Sequence, residues 1–146
     1  MSTPSSQPTD GLPEIHALDH VGINVTDLTR SAEWYRRVLG FEIVHKWTTT
    51  WMVKRGNMRI GLFERKEATP VENLDQRVAI THFCFLTDAQ GFIRTEVALR
   101  KLEVEVGPPE DSGIAWSLFF QDPDGHEIEI TTYYATVAAE VPTDPL

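Results

Sequence analysis

The chain has 146 residues, 41% of them hydrophobic and 24% charged, with a net charge of -9. That length fits one domain with a real core, and that balance excludes a chain too polar to fold. The acidic surface repels phosphate backbones, which excludes nucleic acid as a natural partner and leaves a small-molecule substrate as the expected one.

Residues 1–14, rich in Ser, Thr and Pro, read as a tail, and residues 135–146 read as a second one. The first 13 residues lack the basic start and apolar run of a leader peptide, and no stretch approaches the ~18–20 apolar residues of a membrane span. Cys84 is the sole cysteine, which rules out an intrachain disulfide and any all-cysteine metal cage. A cytoplasmic protein without membrane contact is expected.

From residue 15 the chain shows a weak internal repeat. His20-Val-Gly-Ile-Asn-Val-Thr-Asp27 is answered 62 residues later by His82-Phe-Cys-Phe-Leu-Thr-Asp-Ala89. Each copy starts on a histidine, alternates apolar with other residues, and ends on an aspartate fit to open a helix. Alternation at period two predicts a strand with one buried face. A helix follows the first copy, with Asp27 or Thr29 as its N-cap, Leu28, Ala32, Tyr35, Val38 and Leu39 as its apolar stripe, and Gly40 as its C-terminal cap. The second helix carries Phe92, Val97, Ala98 and Leu102 less cleanly. Strands are predicted over about Phe41–Lys46, Thr49–Lys54 and Met58–Glu64, with a hairpin turn at Arg55-Gly56-Asn57. A polar link follows, from about Arg65 to Arg77. The second half repeats the plan with strands at about Glu103–Val106, Ala115–Gln121 and Glu127–Tyr133, the last two joined by a turn at Asp122-Pro-Asp-Gly125. The fold class is therefore α+β: two βαβββ modules, residues 15–65 and 78–134 of one domain 15–134, forming a cleft of mixed sheets with one helix packed outside each.

Strand parity then sorts the chemistry. Val21, Ile23, Ile60, Leu62, Phe83, Phe85, Ile128 and Ile130 belong on the faces that meet helices. The opposite faces carry His20, His82, Arg59, Gly61, Phe63, Glu127 and Glu129. Two imidazoles and a carboxylate on converging strands make a 2-His-1-carboxylate metal site of His20, His82 and Glu129. Such a set suits a divalent metal ion (Fe2+, Mn2+, Ni2+ or Zn2+) and leaves positions open for substrate.

The stretch from His20 through Trp34-Tyr-Arg-Arg-Val-Leu-Gly-Phe41, together with Phe120-Gln-Asp-Pro-Asp-Gly-His-Glu-Ile-Glu129, closely resembles the vicinal oxygen chelate superfamily. This group includes glyoxalases, bleomycin-resistance proteins, fosfomycin-resistance enzymes and extradiol dioxygenases. The resemblance spans about residues 16–134 and implies the same three metal ligands and a homodimer. It also implies a metalloenzyme of dioxygenase, lyase or isomerase type; the alternative is a metal-free binding protein of the bleomycin-resistance kind. Gly61 stands where glyoxalase I has a fourth ligand, and Phe119 where the dioxygenases have a tyrosine. The fosfomycin enzymes carry an arginine shortly after the glutamate ligand, where this chain has Thr136-Val-Ala-Ala139.

Two further side chains are candidates for catalysis. Arg59 is placed to pair with a substrate anion, and Glu127 to act as a general base. Trp47, Trp51, Phe63 and Phe119 are candidates for an aromatic wall. Trp34, Tyr35 and Trp116 read as packing residues, His45 and His126 as titratable neighbours, and Cys84 as an inert thiol.

Overall fold

A computed structural model describes residues 11–135. Most of the two tails expected at residues 1–14 and 135–146 therefore lies outside the described residues.

Strand β1 (Val21–Val25) leads into helix α1 (Leu28–Leu39), then β2 (Glu42–Lys46), β3 (Thr50–Arg55) and β4 (Met58–Glu64). The second module repeats this order with β5 (Phe83–Leu86), α2 (Ala89–Lys101), β6 (Glu110–Asp111), β7 (Ala115–Gln121) and β8 (Glu127–Tyr133). Each module builds one four-stranded mixed sheet, in the orders β1-β4-β3-β2 and β5-β8-β7-β6. In both, the first strand runs parallel to the last and the rest pair antiparallel.

Local chemistry explains the helix limits. Asp27 accepts a hydrogen bond from the Arg30 amide at 3.0 Å and so caps α1. Gly40 ends it at φ 72°, a left-handed conformation that favours glycine. Leu28, Ala32, Tyr35 and Leu39 are buried as the stripe predicts. In α2, Phe92 and Leu99 are the buried residues, whereas Val97 and Ala98 are exposed, contrary to the expectation from sequence. The reason is angular: at 100° per residue, Phe92 and Leu99 share a face and positions five and six residues after Phe92 point away from it.

The strand expected at Glu103–Val106 is a second correction. Only Val106 makes a bridge there, to Phe120, and pairing resumes at Glu110. The Glu103 and Val104 amides bond back to the Arg100 and Leu99 carbonyls at the end of α2, with Glu103 at φ 59°. Beyond Val106, Pro108 and Pro109 lack amide hydrogens for a ladder.

The apolar faces of both sheets meet one shared core. Ile23, Ile60, Leu62, Leu118, Ile128 and Ile130 are buried in it together with the α1 stripe. Aromatic contacts cross between modules: Trp34 with Phe120 at 6.3 Å and Phe41 with Phe85 at 5.8 Å between ring centroids. Trp51 packs against this core, opposite Leu62, rather than forming an aromatic wall on the other face. Trp116, expected in the core, is 39% exposed at the end of its strand.

A polar latch joins the modules at the turn between β7 and β8. Asp124 accepts from the Thr26 amide (3.2 Å), the Thr26 hydroxyl (2.6 Å), Arg30 Nη2 (2.8 Å) and the Ser31 hydroxyl (3.3 Å), all at the start of α1. Burial opposes ionisation of Asp124, but the Thr26 hydrogen bonds and the Arg30 charge outweigh it and hold the carboxyl below its ordinary value. The buried Tyr35 hydroxyl donates to Asp122 at 2.7 Å, and Asp122 accepts in turn from the Asp124 and His126 amides. Burial, then the Asp122 charge, pushes the Tyr35 phenol well above its usual range, so it stays a donor. His126 Nε2 donates to the Asn24 carbonyl at 2.7 Å, which makes it a structural bridge between the turn and β1.

Candidate metal centre

The turn just described launches β8, and register fixes where its carboxylates fall. Cys84 pairs with Glu129 across the parallel β5–β8 ladder, and Phe119 pairs with Glu129 across β7–β8. Ile128 and Ile130 are buried in the core, so Glu129 lies on the opposite face. There its Oε1 accepts from the Ser117 hydroxyl at 3.0 Å. Its Oε2 stands 3.6 Å from His82 Nε2. That is too long for a good hydrogen bond, but close to the ~3.4 Å that separates two ligands of one tetrahedral cation at bond lengths near 2.1 Å. His82 and Glu129 thus stand together as two members of the expected triad.

His20 precedes β1 in the other sheet. Gly22 pairs with Gly61 across β1–β4, and the His20 ring lies 3.8 Å from where a Gly61 Cβ would be. Gly61 is thus the position facing His20, and it carries no donor. Among the described residues no three His, Cys, Asp or Glu side chains come close enough to hold one ion. One chain brings His82 to Glu129 and leaves His20 with the other sheet.

Both histidines are anchored in the same way. His20 Nδ1 bonds Asp19 Oδ2 at 2.8 Å, and His82 Nδ1 bonds the Thr81 hydroxyl at 2.8 Å. In each case the preceding residue takes one ring nitrogen and leaves Nε2 for a ligand, as metal-binding histidines require. The His20 hydrogen bond, with Arg59 adding its charge, keeps the Asp19 carboxyl below its ordinary value despite some desolvation. Arg59 itself pairs with Asp19 Oδ1 at 3.2 Å. Its guanidinium is therefore engaged behind His20, as a buttress of that histidine's carboxylate.

Asp19, Thr81 and Ser117 are not among the residues that strand parity singles out. The repeat holds a usable signal for two of them: each histidine follows directly on an oxygen-bearing side chain, Asp19 or Thr81. Ser117 requires the β7–β8 register.

Glu127, half-buried, lines a groove of about 340 Å³ between the modules together with His82, Asn24 and Pro70. Partial burial, then the neighbouring Glu129, pushes the Cys84 thiol up to about 12, which keeps it protonated and inert at neutral pH. His45 stacks edge-on with the exposed Trp47 at 4.3 Å.

Comparison with known proteins agrees with this architecture. Residues 17–130 match the model of the Glyoxalase/Bleomycin resistance protein/Dioxygenase superfamily. The chain is 30% identical over 121 residues to a metallothiol transferase FosB of Staphylococcus epidermidis, covering 82% of this chain and 83% of the relative. It is 26% identical over 118 residues to a glutathione transferase FosA of Serratia marcescens, covering 80% of each. Among solved structures, lactoylglutathione lyase from Agrobacterium tumefaciens superposes with a TM-score of 0.67 at 23% identity, covering 83% and 96% of the two chains. The fosfomycin resistance protein FosX from Mesorhizobium loti does so at 0.65 and 21% identity, covering 86% and 99%. No helix among the described residues is long and apolar enough to cross a membrane.

Proposed function

The chain belongs to the Glyoxalase/Bleomycin resistance protein/Dioxygenase superfamily, and from that premise we propose that it is a divalent-metal-dependent enzyme whose reaction centre is completed by a second copy of the chain. The observation that carries this is the paired anchoring of His20 and His82. Each has its Nδ1 bonded by the preceding residue and its Nε2 left to face a ligand, at His82 beside Glu129, yet the two belong to different sheets. In a twofold dimer His20 of one copy would meet His82 and Glu129 of the other, giving two equivalent sites.

Bound there, a divalent cation supplies a Lewis acid with positions open to oxygens of a small substrate. The residues set the rest. Asp19 and Thr81 fix the two rings, Ser117 holds one oxygen of Glu129 and leaves the other toward His82, and Glu127 stands in the adjoining groove as the carboxylate able to accept a proton. Relatives named for thiol and glutathione transfer favour addition of a thiol to a small oxygen-bearing electrophile over ring cleavage. Phe119 in place of a phenol agrees with that choice, and Gly61 removes the four-ligand arrangement. The relatives are enzymes, so binding without catalysis is the less favoured alternative.

Elemental analysis of protein purified without chelator tests the metal. About one equivalent of a transition metal per chain is expected, with marked loss in His82→Ala. Less than ~0.2 equivalents, unchanged by that substitution, would overturn the assignment.

A further inference from the structure

The groove of about 340 Å³ between the modules is built by one chain, without a second copy. Its size falls in the ~300–1,000 Å³ range of small-molecule sites. Strand β1, the link after β4, the start of β5 and the turn before β8 all line it. Two contacts fix these walls to one another. His126 Nε2 of the turn donates to the Asn24 carbonyl of β1 at 2.7 Å. Pro70 of the link packs on Gly125 of the turn, 3.7 Å from where a Cβ there would be.

The lining has a chemical bias. Val21, Ile23, Val71, Leu74, Ile80 and Phe83 make much of it apolar. Val71 and Ile80 are 60% and 83% exposed, so folding leaves apolar area there to cover. Two carboxylates, Asp124 and Glu127, also line the groove, and none of the lining residues is a lysine or arginine. Asp124 is committed to Thr26, Arg30 and Ser31. Glu127 is half-buried, and its carboxylate has no hydrogen-bond or ion-pair partner among the described residues.

We propose that this groove binds a small primary amine with an apolar body, the ammonium paired with Glu127 and the body laid on the apolar lining. The site lies beside the metal centre proposed above and needs neither the metal nor a second copy. Charge selects the ligand. A half-buried, unpartnered carboxylate has lost part of its hydration, and an ammonium replaces it with charge-assisted hydrogen bonds. An anion meets two carboxylates and no cation in the lining, and a neutral group of the same shape gains only the apolar contact.

Heteronuclear NMR titration of the full chain tests this with phenethylamine, 2-phenylethanol and phenylacetate, which share a ring and differ in the head group. Methylamine supplies the head group without the body. Phenethylamine should bind about tenfold or more tightly than 2-phenylethanol or methylamine, with phenylacetate weakest and shifts at the amides of Asn24, Val71 and Glu127. The preference for amine over alcohol should fall below about threefold in Glu127→Gln, with 2-phenylethanol binding unchanged as evidence of an intact groove. It should persist in Glu105→Gln, which removes the same charge from an exposed position outside the groove. A preference that survives Glu127→Gln, or falls equally in both variants, would mean that the overall charge of -9 collects amines, and would overturn the site. Binding is expected in zinc-free and zinc-loaded protein alike. Binding only with zinc would place the amine on the metal and refute the groove, whereas failure of the chain to take up zinc would count against the metal centre alone.

Discussion

Asp124 sets the strongest quantitative expectation. Its carboxylate, with only 11% of the side chain exposed, takes four hydrogen bonds from the start of α1. A hydrogen bond to a charged group contributes about 1.5–3 kcal/mol, so a naive sum would be large. Three features reduce it. Arg30 is 49% exposed and regains water when its partner goes. The Ser31 bond is long at 3.3 Å, and the Thr26 amide contact at 3.2 Å is near the limit of good geometry. The short Thr26 hydroxyl bond and the desolvated carboxylate remain, which puts Asp124→Ala at a loss of about 2–4 kcal/mol. For a chain of this size that lowers Tm by on the order of 10 °C. Urea and thermal unfolding of Asp124→Ala, Thr26→Ala and the double variant measure it. The two losses should fall short of additive by about 1 kcal/mol or more, because both remove one interaction. A loss below ~0.5 kcal/mol for Asp124→Ala, or strict additivity, would refute the latch.

Other outcomes follow from the same geometry. Asp124 has its carboxyl held below its ordinary 3.8. The stability it adds is therefore complete above that value and lost as pH falls through the lower folded value. The stability difference between wild type and Asp124→Asn should shrink on acidification from about pH 6 to about pH 2.5, and a difference that grows in acid would contradict the sign. Tyr35→Phe should cost about 1–2 kcal/mol through the lost donor to Asp122, read by denaturant titration; no change would mean that the backbone amides alone satisfy that carboxylate. Asp19→Asn and Thr81→Ala should each weaken zinc binding roughly tenfold by freeing a ligand ring, with Arg59→Ala weaker in effect because it acts through Asp19. Competition against a chromogenic chelator measures these, and unaltered zinc affinity in Asp19→Asn would remove the anchoring role.

Much of the fold is legible in the residues themselves. Period-two alternation separates Ile23, Ile60, Leu62, Ile128 and Ile130 from the faces of Gly61 and Glu129, because a strand's two faces follow from counting alone. The cap at Gly40 is legible for the same local reason. Local chemistry also explains a failure: the end of α2 takes the Glu103 and Val104 amides, so the pairing that the apolar residues at Glu103–Val106 suggest is reduced to the bridge at Val106. What cannot be read from sequence depends on distant partners. The Asp124 latch joins residues almost a hundred positions apart, and Trp51 looks like a cleft aromatic until its pairing with Leu62 puts it on the core side. Arg59 suits a substrate anion as long as only its face is known; the fold adds its ion pair with Asp19. The candidate triad falls between these cases. Its members and their modules can be named from spacing, but which of them one chain brings together requires the fold.

The proposed division of the triad between two copies can be tested by complementation. His20→Ala and His82→Ala variants are each expected to lose metal. Unfolded together, refolded as a mixture and loaded with zinc, they form heterodimers in which one of the two shared sites regains both histidines. With half the dimers mixed, metal should return to about a quarter of the wild-type content, while each variant refolded alone stays low. No recovery in the mixture, with dimers confirmed by light scattering, would contradict a site built across two copies.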